Sequence, residues 1–156
     1  MLEHLVDWVD AVVNKNIKNA NRCSVLAPYL RGYYPREFLD RCYFVVTKTL
    51  PKPQIDIDDP NIQRFLSQDD DGITYKNVYF IKPEALDDLC LHVHELVHVA
   101  QWSILGVNGF IERYLGELNQ YGYNQSPLEL MASEIEYKFR ERQEIINVPN
   151  IVRQRI

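Results

Sequence analysis

The 156-residue sequence has only three cysteines, no long apolar run and no concentrated block of lysine and arginine. Cys23, Cys42 and Cys90 lack the close spacing of a thiolate metal site, so we expect them to be reduced thiols. No segment approaches the roughly 18 to 20 apolar residues of a membrane span, so we expect no transmembrane helix. With 17 basic and 22 acidic residues, the net charge of −5 disfavours a nucleic-acid partner, because phosphate binding needs a concentrated basic surface.

The N-terminal segment lacks the basic residues of a secretory signal and carries Glu3 and Asp7 instead. Without such a signal, the sequence predicts a cytoplasmic protein. A hydrophobic fraction of 46% and a charged fraction of 25% are typical of a globular protein, and the length fits one domain with one core. Neither a repeat nor a linker divides the chain.

Hydrophobic periodicity predicts a mostly helical chain with a small sheet. Apolar residues at helical spacing predict helices over about 2–17, 26–31, 84–105, 110–119 and 126–144, and Gly106 is expected to end the third of them. Runs of β-branched and aromatic residues predict strands over 41–49 and 73–81. The acidic stretch 56–72 is predicted to be a loop, with one helical turn near 62–66.

These elements indicate an α+β fold in one domain. We expect it to have three parts, namely a helical N-terminal part (1–40), the strands with the central helix (41–106) and the C-terminal helices (107–145). The sequence does not predict an oligomeric state.

The central helix carries the segment His94-Glu95-Leu96-Val97-His98. On a helix, residues four apart lie about 40° apart in angle and one turn apart along the axis, so His94 and His98 can reach the same metal ion. Glu95 lies beside such a metal, in the position of a general base for a metal-bound water. His92 lies at a different angle and is predicted to be a surface residue or one that contacts a ligand.

The remaining residues of this helix support a separate metal face. Aliphatic side chains cluster on the opposite side of the helical wheel, at Leu86, Leu89, Val93, Leu96, Val97, Ala100 and Ile104. Two core histidines would fall within this aliphatic stripe, and His94 and His98 do not. The alternative is that they are two unrelated surface histidines.

A catalytic zinc usually has three protein ligands, and the third is expected on the last helix. Glu129 is favoured because it lies in the first turn, where Ala132 allows another helix to approach closely. Glu134 and Glu136 lie further along the helix, where the close approach would have to persist, and Glu134 is the alternative. It also remains open that neither is a ligand, since Ser126 and Glu129 match a capping box with Pro127 at the first helical position.

Two stretches resemble a known family. The segment from His94 to Trp102, HELVHVAQW, resembles the active-site helix of zincin metallopeptidases, and in particular small bacterial zincin-like domains whose motif continues into a Gln. The later stretch YGYNQSPLELMA, which ends at Ala132, resembles the glutamate-bearing helix of gluzincins. Typical relatives have a second acid two residues after the ligand, where this chain has Met131.

The resemblance implies a zincin-like α+β fold in which His94, His98 and Glu129 hold Zn²⁺ and Glu95 activates water. The expected function is a zinc metallopeptidase that acts on a peptide or protein substrate. By the same resemblance, the strand 73–81 would run along the cleft and pair with an extended peptide.

The expected mechanism begins with zinc, which lowers the pKa of its water to about 7. Glu95 would take the proton and deliver it to the leaving nitrogen. Tyr114, Tyr121 and Tyr123 are candidates for a donor to the oxyanion, although packing is the commoner role of a tyrosine. Gln101 is expected either to form a hydrogen bond near the site or to cap a loop.

Three rival functions remain at the level of sequence. The first is an inert zincin-like binding or scaffold module, which would hold metal without turnover. The second is an effector or toxin protease, and the third is a metal-free helical interaction domain.

Overall fold

The computed structural model describes residues 1–143 and 146–156. Within these residues, the α-helices are α1 (Leu2–Asn16), α2 (Arg36–Leu39), α3 (Pro60–Ser67), α4 (Leu89–Tyr121), α5 (Pro127–Arg140) and α6 (Val148–Arg155). The strands are β1 (Asn21–Arg22), β2 (Tyr43–Val46), β3 (Gly72–Tyr75) and β4 (Val78–Ile81). Short 3₁₀ helices cover Ile17–Asn19, Cys23–Tyr29 and Pro83–Ala85. The predicted α+β class, mostly helical with a small sheet, is confirmed.

The four strands form one sheet in the order β1-β2-β4-β3. β2 and β4 are parallel, while β1 and β3 pair antiparallel with their neighbours. The prediction of one strand over 73–81 is wrong, because this stretch is a hairpin in which Tyr75 pairs with Val78. The chain turns at Lys76, which has a φ of 59°. Because polar and apolar residues alternate up to Lys76 as they do in a strand, hydrophobic periodicity does not reveal the turn.

The long helix α4 is the central element and contacts β3, β4, α1, α5 and α6. The predicted helix break at Gly106 is confirmed, since this residue has φ 75° and ψ 169°. The chain resumes helical conformation at once, so the two helices predicted over 84–105 and 110–119 are the two halves of α4. The first half begins at Leu89, because 83–85 form a 3₁₀ turn and Asp88 caps the helix.

Two hydrophobic clusters hold these elements together. The larger lies between the sheet, α4, α5 and α6, and includes the fully buried Ala132. The smaller lies where α1 packs against β3 and α4, and it buries the predicted apolar stripe of α1 at Leu5, Val9 and Val13. Both clusters border the first half of α4, so this segment is fixed from several directions.

The remaining elements depart from the sequence prediction in length. The turn expected near 62–66 is the eight-residue helix α3, with Asp59 as its N-cap. The predicted helix 26–31 is a 3₁₀ helix over Cys23–Tyr29 with Pro28 inside it. α5 ends at Arg140, and the predicted end near Glu144 lies outside the described residues. The short helix α6 was not predicted.

Among the described residues, the helices do not include one with the length and apolarity that crossing a bilayer requires.

Candidate metal centre

Three predicted ligand side chains meet between α4 and α5. His94, His98 and Glu129 each place one ligand atom within 4.8 Å of the others. His98 Nε2 lies 3.1 Å from Glu129 Oε1, and His94 Nε2 lies 3.3 Å from Glu129 Oε2. His98 and Glu129 are buried, and the side chain of His94 is 12% exposed. We call these three residues the trio.

The local sequence explains why the trio converges. His94 and His98 are one turn apart on α4, with ring centroids separated by 5.0 Å. α5 begins with Pro127 at its first position, which puts Glu129 in the first turn. The alternative role of Glu129 in a capping box is excluded, because the backbone nitrogen of Ser126 donates to the backbone oxygen of Tyr123 and the Ser126 side chain makes no hydrogen bond to its own helix. The Glu129 carboxylate therefore turns to the histidines.

Hydrogen bonds on the far side of each ring determine which histidine nitrogens face Glu129. His94 Nδ1 lies 2.9 Å from Glu136 Oε1, and His98 Nδ1 lies 2.8 Å from Gln101 Oε1. The Gln101 amide orientation follows from its Nε2, which donates to the backbone oxygen of Leu128 at 3.0 Å. Because both partners are acceptors, each Nδ1 carries a hydrogen.

The trio fits a divalent metal of the zinc type. In a neutral imidazole with a hydrogen on Nδ1, the Nε2 atom carries a lone pair, and here each Nε2 faces a carboxylate oxygen of Glu129. Because nitrogen and oxygen are then both electron donors, a cation between them is needed to hold them together. Two ligand atoms about 2.0 to 2.1 Å from a tetrahedral zinc are about 3.3 Å apart. The separations of 3.1 and 3.3 Å are close to this value. Two imidazoles and one carboxylate are also a common donor set for catalytic zinc.

Without a metal, protons supply the missing positive charge. Burial lowers the pKa of His94, but hydrogen bonds to Glu129 and Glu136 outweigh it and raise this pKa to about 10. Burial likewise lowers the pKa of His98, and the Glu129 charge more than reverses the effect. Burial raises the pKa of Glu129, but the imidazoles bring it well below its usual range. A metal ion must therefore displace protons to enter.

Comparison of the chain with protein-family models, curated proteins and solved structures finds no match.

Glu95 lies beside the trio, and β3 holds its side chain. Thr74 Oγ1 donates to Glu95 Oε1 at 2.8 Å. A Cβ atom at Gly72 would lie only 3.2 Å from Cγ and Cδ of Glu95. Burial raises the pKa of Glu95 by more than His94 and His98 lower it. Gly72 and Thr74 belong to no recognisable sequence motif, although strand alternation places both on one face of β3.

An apolar cavity of about 90 Å³ opens beside Glu95. Glu95, His98 and Glu129 line it on one side. Apolar side chains of α1, β3 and α4 line much of the remainder, among them Leu5, Val9, Ile73, Trp102, Phe110 and Ile111. A ligand bound next to Glu95 would therefore place an apolar part of its structure in this cavity.

Two of the three predicted tyrosine donors border this cavity. Tyr114 Oη donates to Glu129 Oε1 at 3.0 Å, and burial followed by the Glu129 charge raises the pKa of Tyr114 well above its usual value. Tyr123 also lines the cavity. Tyr121 is 46% exposed and is not among the lining residues. Tyr114 therefore orients the Glu129 carboxylate.

Two other residues from the sequence analysis lie outside the trio. Glu134 is exposed and pairs with Arg155 at 2.6 Å. The prediction that His92 is a surface residue or contacts a ligand is wrong. His92 is fully buried on the sheet-facing side of α4, between Tyr79 Oη at 2.6 Å and the backbone oxygen of Leu86 at 2.8 Å. Burial lowers its pKa, so it packs as a neutral core residue.

Proposed function

We propose that this protein is a zinc metallopeptidase with a zincin-like fold, in which His94, His98 and Glu129 bind zinc and Glu95 is the general base. The observation that supports it most is the combination of a convergent trio with a buried carboxylate on the residue after His94. The cytoplasmic location predicted from the sequence remains part of this proposal.

His94, His98 and Glu129 would hold the zinc, which when bound would supply a Lewis acid able to activate water at neutral pH and to polarise a carbonyl group. Glu95 accepts the proton from the attacking water and passes it to the leaving nitrogen. Its raised pKa suits this role, because a general base works best when its pKa is near the operating pH. Thr74 holds Oε1 of this carboxylate, which leaves Oε2 to receive the proton.

Residues behind the trio keep the ligands in place. Glu136 and Gln101 accept hydrogen bonds from the Nδ1 atoms of the two histidines, which directs both Nε2 atoms at the metal position. Tyr114 restrains Glu129 in the same way. These partners keep the donor atoms aligned without a bound substrate, which favours catalysis.

A peptide is the substrate that the surroundings favour. β3 is the edge strand of the sheet, and in the described part of the chain no strand pairs with its outer side. An extended peptide that adds to this edge would pass Glu95, because Thr74 of β3 contacts that residue. The apolar cavity would then receive an apolar side chain of the peptide.

Metal analysis and two variants test the proposal. We expect purified protein to bind about one zinc per chain, and His94→Ala to lose it. Glu95→Gln should keep zinc and lose about 10²- to 10⁴-fold in hydrolysis of unfolded proteins or peptides. Zinc binding with no turnover above Glu95→Gln would favour the inert binding or scaffold module. Wild-type protein that folds and takes up no supplied zinc would overturn the metal site itself.

A further inference from the structure

Another buried carboxylate, Glu117 in the second half of α4, contacts the beginning of α5, the helix that carries Glu129. Its Oε1 accepts hydrogen bonds from Ser126 Oγ and from the backbone nitrogen of Leu128, both at 2.8 Å. Its Oε2 accepts one from Arg113 Nε at 2.9 Å. Glu117 is 8% exposed, and Ser126 is fully buried. A carboxylate from another helix thus caps α5, a role that a residue of the capped helix usually has.

Leu128 of α5 is also held through its backbone oxygen. The backbone oxygen of Leu128 accepts a hydrogen bond from Gln101 Nε2 at 3.0 Å, and Gln101 also bonds His98. Both backbone polar groups of Leu128 are therefore bound by side chains of α4, one before Gly106 and one after it. Glu129 follows directly in the chain. The carbonyl held by Gln101 belongs to the peptide bond that joins Leu128 to Glu129.

We propose that Glu117 is a positioning residue for the metal centre. It fixes the first turn of α5 and so places Glu129 opposite His94 and His98, without touching the trio. This inference rests on the proposed zinc site. A buried carboxylate is costly unless it accepts hydrogen bonds, and Glu117 places two of its three on the turn that carries the ligand. Metal ligands require placement within a fraction of an ångström, so a loosened first turn weakens binding.

The test compares Glu117→Ala with Arg113→Ala, using Zn²⁺ for affinity and Co²⁺ for its visible absorption spectrum. Glu117→Ala should bind zinc about 10- to 100-fold more weakly. Its cobalt spectrum should move towards that of Glu129→Gln. Arg113→Ala is the matched control, because it removes only the contact at Oε2. It should keep the wild-type affinity and spectrum.

Two further variants separate positioning from general stability. Glu117→Gln keeps an acceptor oxygen for Ser126 and Leu128, so it should restore most of the zinc affinity. Glu117→Asp keeps the charge but shortens the side chain, so it should draw α5 out of place and alter the cobalt spectrum. If Glu117→Ala does not fold, these two variants decide the question.

Three results would overturn the inference. The first is a wild-type zinc affinity and cobalt spectrum in Glu117→Ala or Glu117→Asp despite a lowered melting temperature. The second is an equal loss of affinity in Glu117→Ala and Arg113→Ala, because that loss would follow stability alone. Both leave the zinc site intact. The third is wild-type protein that binds neither zinc nor cobalt, which overturns the proposed function together with this inference.

Discussion

At the scale of single residues, the candidate centre depends on hydrogen bonds between residues far apart in the sequence. Thr74 and Glu95 are 21 positions apart, and His94 and Glu136 are 42 positions apart. Each contact fixes one atom of a proposed catalytic or ligand group. The proposed functional groups are therefore held by residues with no recognisable motif of their own.

Gly72 offers a direct test of how closely Glu95 must be held. In Gly72→Ala, the new methyl group would lie 3.2 Å from Cγ and Cδ of Glu95 and would displace that side chain. We expect the variant to keep its zinc and to lose roughly tenfold to hundredfold in kcat/KM, because a displaced base is poorly aligned with its proton. Peptide hydrolysis and metal analysis on the same preparation measure both quantities.

Gly116→Ala is the control for this substitution. Gly116 lies in α4, and a methyl group added there would meet no heavy atom of another described element within 4 Å, so activity should be unchanged. Full activity in Gly72→Ala would contradict the idea that β3 positions Glu95.

The sequence predicts the trio and Glu95 better than it predicts the residues that hold their side chains in place. His94, Glu95 and His98 follow from helical periodicity, and Glu129 follows from its place in the first turn of a helix with a small residue one turn later. Gly72, Thr74 and Glu117 have no such signal, because their roles arise only when β3 and the two halves of α4 come together. Glu136 lies two turns from Glu129 on the same helix face, so helical periodicity also places it near the histidines.

At the scale of elements, the break at Gly106 divides α4 into two halves with different contributions. The first half carries His94, Glu95, His98 and Gln101, and the second carries Tyr114 and Glu117. Both halves bond to the first turn of α5. The geometry at Gly106, with φ 75° and ψ 169°, is one that essentially only glycine adopts.

Gly106→Ala should therefore destabilise the protein by about 1 to 3 kcal/mol. Among the described residues, no neighbouring side chain or packed element lies within 4 Å of the added methyl group, so the cost comes from the backbone and not from a clash. Thermal or denaturant unfolding measures the loss. A zinc titration should show weaker binding, because the two halves of α4 would no longer meet α5 together.

Gly109→Ala is the matched variant in the same helix. Its methyl group would make an ordinary contact of 3.7 Å with Leu105, and alanine favours a helix over glycine by about 0.5 to 1 kcal/mol. It should be as stable as wild type or more so. Equal stability of Gly106→Ala and wild type would show that the break is not held by the surrounding fold.

Element lengths were less predictable than element types. The hairpin β3–β4 reads as one strand because its turn, Lys76-Asn77, lacks glycine and proline. α6 escapes prediction because it has only eight residues, and its stability comes from the burial of Val148 and Val152. Short elements depend on tertiary packing, which a local pattern does not contain.

At the scale of the whole molecule, the charges of the trio link stability to pH. The pKa values of His94 and His98 are raised above the unfolded value of 6.5, so their ion pairs stabilise the folded state fully below that pH. This stability is lost as the pH rises, and for His94 the loss extends to a pH of about 10. The lowered pKa of Glu129 contributes stability above 4.5 that is lost as the pH falls.

We therefore expect the melting temperature of metal-free protein to fall between pH 6.5 and about pH 10. Zinc replaces the protons, so zinc-loaded protein should show little of this decrease. At 100 times the dissociation constant, zinc should add about 2.7 kcal/mol of stability. Thermal unfolding across this pH range, with chelator and with zinc, measures both effects. A metal-free melting temperature that rises steadily over the same range would contradict the ion pairing.

The pairing of Glu129 with His94 and His98, whose pKa values are both raised, also bears on how the protein matures. In zinc fingers the ion is needed for folding, because without it the ligands have no reason to gather. Here Glu129 and Glu136 together offset the charges of the two imidazoles before any metal arrives, so we expect a newly made chain to fold first and to acquire the proposed ion afterwards. On the proposed function, activation would then be an exchange of protons for zinc within a folded protein, and the concentration of free zinc would set its extent.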